Sequence, residues 1–402
     1  MNLEQLIAPL APAAFFADHW QRGPYLAEAR SGRLAGLLSS RDVGRLLYFG
    51  GIRAPQGMLL VKSGRHYDQP WTRLDGTPHP EKVRAAWGAG YTVIVNGLHR
   101  LWEPAALLVA RLEEELHHTV NVNLYFSPPG SQGFAPHADP MDVFILQLEG
   151  AKTWEVRERV PLSSAAGEAA TVPADRLPPV VLGTELRAGN VLYLPRGFVH
   201  AASTTATASL HLTVGVNPVT WADLVSAALA AVRGDERWLE ALPPAFLHGA
   251  PGMEARFREL VAELPRRLVL DGALARLGEQ LIGARSPTPG DDLFRERPEL
   301  GLDSVLTRRD GMLVRVLEGP GYAGLQYPGG KLTGPPKIAP ALHHVERHRR
   351  FAVASLPGEL DGNEKVVLAR RMVRDGLLEP AGNPPGPGPG DGSPAAGGRS
   401  GG

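Results

Sequence analysis

His137, Asp139 and His200 are the residues whose types and spacing in this 402-residue chain point to chemistry. The first two stand in His137-Ala138-Asp139. The third closes Gly189-Asn190-Val191-Leu192-Tyr193-Leu194-Pro195-Arg196-Gly197-Phe198-Val199-His200, 63 residues after His137. Residues two apart on a strand project to the same face. Two imidazoles and one carboxylate, with coordination positions left over, form a ligand set that suits non-haem Fe(II) and oxygen chemistry. His-x-Asp alone is a common tripeptide. Its weight comes from the Gly-Pro-Gly-His segment, whose glycines and proline allow a tight hairpin with His200 at its end.

The elements that must position these groups read as short strands. Val120, Val122, Leu124 and Phe126 alternate with Asn121, Asn123, Tyr125 and Ser127, a period of two. Residues 144–148, 152–156, 191–194 and 209–216 continue the pattern, with Gly and Pro between them, as in a barrel or sandwich of antiparallel strands. Asn123, Tyr125 and Ser127 share one strand face, and Ser209, His211 and Thr213 another. If those faces line a barrel, its interior is polar.

Elsewhere the signals are weaker. Residues 1 to about 110 mix helix and strand, and Phe15-Phe16, Trp20 and Arg22-Gly23-Pro24 read as a helix ending at a turn. Thr220 is a candidate N-cap for a helix beginning at Trp221, with further helices expected over 253–264 and 270–283. Ser286-Pro287-Thr288-Pro289-Gly290 reads as a linker. A region of about 291–380 has two or three strands (312–317, then near Leu325 and Leu332) before helices near 339–349 and 363–376, a winged-helix-like α+β pattern. The last 23 residues are almost all Gly, Pro, Ser and Ala and are expected to be disordered. The adjacent pairs His117-His118 and His343-His344 are expected at solvated surface.

Composition excludes rather than selects. Lys plus Arg and Asp plus Glu are both 42, so nothing at whole-chain level favours nucleic acid or an anionic membrane. Residues 301–380 carry 12 Lys/Arg against 9 Asp/Glu, too small an excess to predict nucleic-acid binding. There is no cysteine, which rules out disulfides and thiolate metal sites. The N-terminus shows no basic stretch leading into an apolar one, and no apolar run reaches ~20 residues, so a soluble cytoplasmic protein is expected.

The Gly-Pro-Gly-His segment resembles the second motif of the cupin barrel. The first cupin motif, His-x-His, three or four residues, Glu, six residues, Gly, is met only in part. The spacing to Gly150 holds, but Asp139 replaces the second His and Val143 stands where Glu would be. A four-ligand site thereby becomes a triad. The stretch from Asn123 through Tyr125 and Pro136 to His137, then 142–154, the Leu192 to His200 turn, and Ser209-Leu210-His211-Leu212-Thr213 resemble the JmjC-type ribosomal oxygenases. The likeness is strongest over 123–216 and extends more faintly over nearly the whole chain.

That resemblance implies a double-stranded β-helix (cupin, JmjC-type) catalytic domain over residues 1–216. It implies a helical dimerisation region over 217–285 and a winged-helix-like module over 291–380, leaving 380–402 as a tail. It implies Fe(II) held by His137, Asp139 and His200. The distal carboxylate of the co-substrate 2-oxoglutarate would be paired by Lys152, thirteen residues after Asp139, and met by Tyr125, with Asn123 on the same face. A dianion held by metal at one end does need a cation and a donor at the other. With O2, such a site would hydroxylate a side-chain carbon of Arg or His in a ribosomal protein, in a homodimeric enzyme. Three other readings stay open: the same chemistry on a small molecule or natural-product peptide, demethylation of N-methyl lysine, or a cupin that binds a metal or ligand without turnover. The stretch from Trp154 to Leu182, rich in Ala, Ser and Pro, reads as a loop near the mouth.

Overall fold

The computed structural model describes residues 1–161, 169–286 and 299–381. These form two compact units, one of residues 1–286 with 310–313, the other of residues 299–309 and 314–381. The expected linker beyond Ser286 and the expected disordered tail beyond Ala381 lie outside the described residues.

The larger unit is built on one antiparallel sheet system. Its strands are β1 (Tyr25–Ala27), β2 (Met58–Lys62), β3 (Arg65–His66), β4 (Thr92–Val95), β5 (Thr119–Ser127) and β6 (His137–Ala138). They continue as β7 (Asp142–Arg159), β8 (Ala170–Thr171), β9 (Val180–Arg187), β10 (Val191–Leu194) and β11 (Phe198–Asn217). The two longest, β7 and β11, run side by side, and each takes part in two further ladders. The N-terminal half of β7 and the C-terminal half of β11 lie between β10 and β5. Their other halves lie between β9 and β6, and β6 pairs on to β8. Two sheets that share both long strands are the arrangement of a double-stranded β-helix.

The changeover between sheets happens at one level. Gly150 has φ +67° and breaks β7 there, while β11 slips register between Thr204 and Ser209. A Cβ on Gly150 would lie 1.8 Å from the Ala208 carbonyl oxygen, so only glycine fits. The pieces 144–148 and 152–156, read above as separate strands, are thus one bent strand, and 209–216 belongs to β11. The stretch after Trp154, read as a loop, stays in β7 through Arg159; residues 162–168 lie outside the described residues.

Alternation sorts the side chains. Val120, Val122 and Leu124 of β5, Phe144 and Leu146 of β7, and Leu210, Leu212, Val214 and Val216 of β11 bury in one large core. That core also takes Leu108 and Leu112 of α5 (Glu103–Leu116) and Phe15 of α2 (Pro12–Asp18), with α1 (Leu3–Ile7), α3 (Ser40–Phe49) and α4 (Pro80–Gly88) around it. The opposite face holds a smaller apolar cluster, Val143, Ile145, Trp154, Val156, Leu186, Leu192, Leu194 and Phe198. The rest of that face is polar.

After β11 come α6 (Trp221–Leu229), α7 (Glu236–Leu239), α8 (Met253–Arg267) and α9 (Leu270–Gly283). The Thr220 hydroxyl accepts from the Asp223 amide and Asp223 answers with the Thr220 amide, a capping box that starts α6. A buried ion pair ties the end of this helical segment to α5: Arg285 Nε lies 3.1 Å from Glu113 Oε2, and its Nη2 donates to the Glu113 carbonyl. Of the pair His117-His118, His117 is exposed as expected and ends α5 in a left-handed conformation. His118 is half-buried instead: it stacks on Trp20 and its Nδ1 accepts from the Val219 amide.

The second unit is α+β. Strands β12 (Val305–Arg308), β16 (Arg350–Ala352) and β17 (Leu378–Pro380) make one three-stranded sheet. Strands β13 (Arg315–Gly319), β14 (Tyr322–Tyr327) and β15 (Gly330–Gly334) make another, with α10 (Ala339–Arg347) and α11 (Gly362–Arg374).

Gly150→Ala should destabilise the protein by more than ~2 kcal/mol, because φ is positive and the methyl meets a carbonyl oxygen. A urea transition at unchanged midpoint would refute this account of the bend.

Candidate metal and anion site

His137 on β6 and His200 on β11 are directly opposed across their ladder, and Asp139 follows β6 immediately. The ring centroids of the two histidines are 4.4 Å apart. His137 Nε2 lies 3.8 Å from Asp139 Oδ1, and His200 Nε2 3.5 Å from Asp139 Oδ2. Three ligand atoms within 4.8 Å of one another can share an ion.

The orientation of both rings has a local cause. His137 Nδ1–H donates to the Ala135 carbonyl at 2.8 Å, and His200 Nδ1–H to the Phe198 carbonyl at 3.0 Å. Each ring is thereby locked to the backbone two residues earlier in the chain, and its Nε2 lone pair is left for a metal. Burial, then the neighbouring His137, lowers the His200 pKa and keeps the ring neutral, as ligation requires. The hairpin carrying His200 is pinned to the strand end carrying Asp139, since the Gly197 amide donates to the Asp139 carbonyl. The Arg196 amide and the Tyr193 hydroxyl donate to the buried Asp142 carboxylate. Val143, where the cupin motif has Glu, packs in the inner apolar cluster and offers no fourth ligand.

These groups line a cavity of about 600 Å³, together with Tyr125, Lys152, Trp154, His211 and Thr213. Lys152 is 4% exposed. Its Nζ donates to Ser127 Oγ at 3.2 Å, and Ser127 Oγ lies 2.9 Å from Thr92 Oγ1. Among the described residues no carboxylate pairs with it. Burial alone pushes its pKa down to about 7. Tyr125 stands opposite His211 in the β5–β11 ladder, and their rings stack at 4.9 Å with planes 1° apart. Burial, then the Asp139 carboxylate, holds the Tyr125 phenol protonated and therefore a donor.

The structure thus gathers five of the six residues singled out by sequence around one cavity. Asn123 shares the strand face of Tyr125, but its Oδ1 accepts from the Gly97 amide and it is not among the cavity lining. Sequence reasoning missed Ser127 and Thr92 as the hydroxyl pair that holds Lys152. Ser127 had a signal, as the fourth residue on the polar side of the β5 alternation; Thr92 had none.

A metal ion meets two neutral Nε2 lone pairs and a carboxylate here, so the donor set fits a divalent ion. Co(II) should raise the melting temperature of the wild-type protein but not of Asp139→Ala, read by thermal unfolding with and without metal. Lys152 bears on stability separately. A lysine pKa lowered on folding costs stability fully below about pH 7, and the cost fades as pH approaches the unfolded value near 10.4. Lys152→Met should therefore stabilise the ligand-free protein by a few kcal/mol, at ~1.4 kcal/mol per pKa unit, at pH 6 and by little near pH 10. Equal gains at both pH values would refute the burial cost.

Residues 100–224 match the family model for the JmjC domain. The chain is 34% identical over 263 residues to ribosomal oxygenase 1 of Gallus gallus, which covers 59% of this chain and 41% of that protein. It is 33% identical over 297 residues to the Homo sapiens ribosomal oxygenase 1, covering 68% and 44%. A bifunctional lysine-specific demethylase and histidyl-hydroxylase NO66 from Drosophila persimilis is 32% identical over 224 residues, covering 53% and 31%. The chain therefore spans less than half the length of these relatives. Among solved structures, YcfD, a ribosomal oxygenase from Escherichia coli in complex with cobalt and 2-oxoglutarate, has the same fold, with a TM-score of 0.57 over 92% of this chain and 98% of that one, at 20% identity. Residues 100–224 thus match a JmjC domain, and the chain is similar in sequence to the ribosomal oxygenases.

Proposed function

We propose that this protein is an Fe(II)- and 2-oxoglutarate-dependent oxygenase that hydroxylates a side-chain carbon, of Arg or His, in a ribosomal protein. One observation carries the reading: a three-ligand metal cluster shares its cavity with a buried lysine that has no counter-ion. A buried cation of that kind calls for an anionic ligand. His137, Asp139 and His200 would hold the iron, while Lys152 Nζ and the Tyr125 hydroxyl would bind the distal carboxylate of 2-oxoglutarate. Asn123, tied to Gly97, supports the same strand face. When bound, iron and 2-oxoglutarate supply oxygen activation, with release of succinate and CO2 and attack on an unreactive C–H bond. The chain's own part is to orient these groups and to keep water out with Val143, Ile145, Trp154 and Phe134.

Of the two substrate side chains, the cavity favours the imidazole. Arg65 and Lys152 line it, and Asp139, taken by the metal, is the one acidic residue among its described lining. A guanidinium or N-methyl ammonium entering there would be desolvated without a counter-charge. The relative from Drosophila persimilis is named both a histidyl-hydroxylase, in line with this preference, and a lysine-specific demethylase, against it.

Homodimerisation belongs to the same reading. The helical segment exposes Trp221 (83%), Phe257 (65%), Leu270 and Leu274, apolar area that a second copy would cover. No described helix is long and apolar enough to cross a membrane, and a cytoplasmic location would suit a ribosomal substrate.

Purified anaerobically with Fe(II), the wild type should form succinate from 2-oxoglutarate on admission of air, and His137→Ala and Lys152→Ala should lose at least ~100-fold. Peptides from ribosomal proteins should gain 16 Da on histidine rather than arginine. A wild type that binds metal but not 2-oxoglutarate would place the chain with non-catalytic cupins. Trp221→Glu with Phe257→Glu should convert the protein to a monomer in sedimentation; a wild type already monomeric would overturn the dimer.

A further inference from the structure

His211 sits within the cavity but outside the metal cluster, and the residues assigned above leave it without a task. It is 2% exposed, faces Tyr125 ring to ring, and lies edge-on to Trp154 at 5.6 Å. Its Nδ1 is sealed inside the protein with no hydrogen-bond partner. Burial, then the nearby Lys152 charge, drives its pKa well below the ordinary value, so the ring is neutral. A neutral imidazole carries one proton on one of its two nitrogens. An N–H enclosed without an acceptor is among the costliest groups to bury, and an unpaired lone pair costs less. The proton therefore belongs on Nε2.

The ring lines the same cavity as Lys152 and Tyr125, and both neighbours identify the end of the cavity it occupies. Tyr125 is its ladder partner and Lys152 is the charge it feels. This corner already holds a cation and a phenol donor. A second carboxylate oxygen placed there has more lone pairs than those two groups can meet.

We propose that His211 is a substrate-binding residue: its Nε2–H donates to the distal carboxylate of the dicarboxylate co-substrate, beside Lys152 and Tyr125. The proposal rests on the 2-oxoglutarate reading above and adds a third donor to it. His211 then has two functions in one ring. Its face sets the plane of the Tyr125 phenol, and its edge binds the anion.

Calorimetric binding to the Mn(II)-loaded protein separates these functions from a merely structural one. The ligands are 2-oxoglutarate and 2-oxobutanoate, which has the same metal-chelating end but no distal carboxylate. His211→Phe keeps a flat ring against Tyr125 and removes the donor. It should weaken 2-oxoglutarate by about tenfold or more and leave 2-oxobutanoate within about twofold. His211→Gln, which restores an N–H near the same place, should recover much of the loss. Equal weakening of both ligands would show that the ring only supports the pocket, and no weakening would show that it binds nothing; either overturns the proposal. A wild type that binds neither 2-oxo acid removes the co-substrate reading itself, an outcome distinct from a wild type that binds both and a variant that does the same.

Discussion

A lysine ammonium enclosed without a carboxylate is the constraint around which the interior of this domain is arranged. Burying Lys152 works against folding, and only the large outer core, with the helices packed on it, can sustain such a group. The two hydroxyls of Ser127 and Thr92 hold the charge in place without neutralising it. A carboxylate partner would have made the protein more stable and the cavity useless to an anion. Strand alternation reconciles the two demands in β5 and β11, where Val and Leu face the outer core while Tyr125 and His211 face the cavity. In β7 the break at Gly150 changes the parity, so that Lys152 faces inward although Phe144 and Leu146 face out.

The metal cluster obeys a similar economy of local means. Each histidine is oriented by a carbonyl two residues earlier in the chain, so no distant side chain has to be recruited to fix its tautomer. What must be long-range is the meeting of β6 with the start of β11. That is secured by backbone: the paired strands themselves, and the bond from Gly197 to Asp139. This explains why the glycines of the hairpin carry so much information. Gly189 and Gly197 both adopt positive φ, 94° and 84°, a conformation that other residues rarely take.

Much of the site was therefore legible in the sequence, for a physical reason. His137, Asp139 and His200 sit in short segments whose turn chemistry is written in neighbouring residues. Tyr125 stands on a strand face whose alternation is plain, whereas Lys152 is marked by the family resemblance alone. Helices α8 and α9 began where their amphipathic patterns begin. Thr92 escaped because its meeting with Ser127 depends on β4 pairing with β5, a tertiary event 35 residues apart that leaves no local trace. The long strands were read as fragments because a glycine in mid-strand and a polar slip look the same as turns in one dimension. His118 was taken for a surface residue because nothing nearby in sequence announces Trp20 as its partner.

The bend shared by β7 and β11 has a metrical consequence. Lys152 and His200 lie in the half-strands beyond the bend, whereas Tyr125 and His211 belong to the sheet before it. The span from His200 to the stacked Tyr125 and His211 rings is therefore a property of two strand bends rather than of any side chain. Gly150 and the slip between Thr204 and Ser209 act as a gauge that sets this spacing across the cavity. Residues added or removed between 205 and 208 would recalibrate that gauge while leaving every ligand in its own ladder.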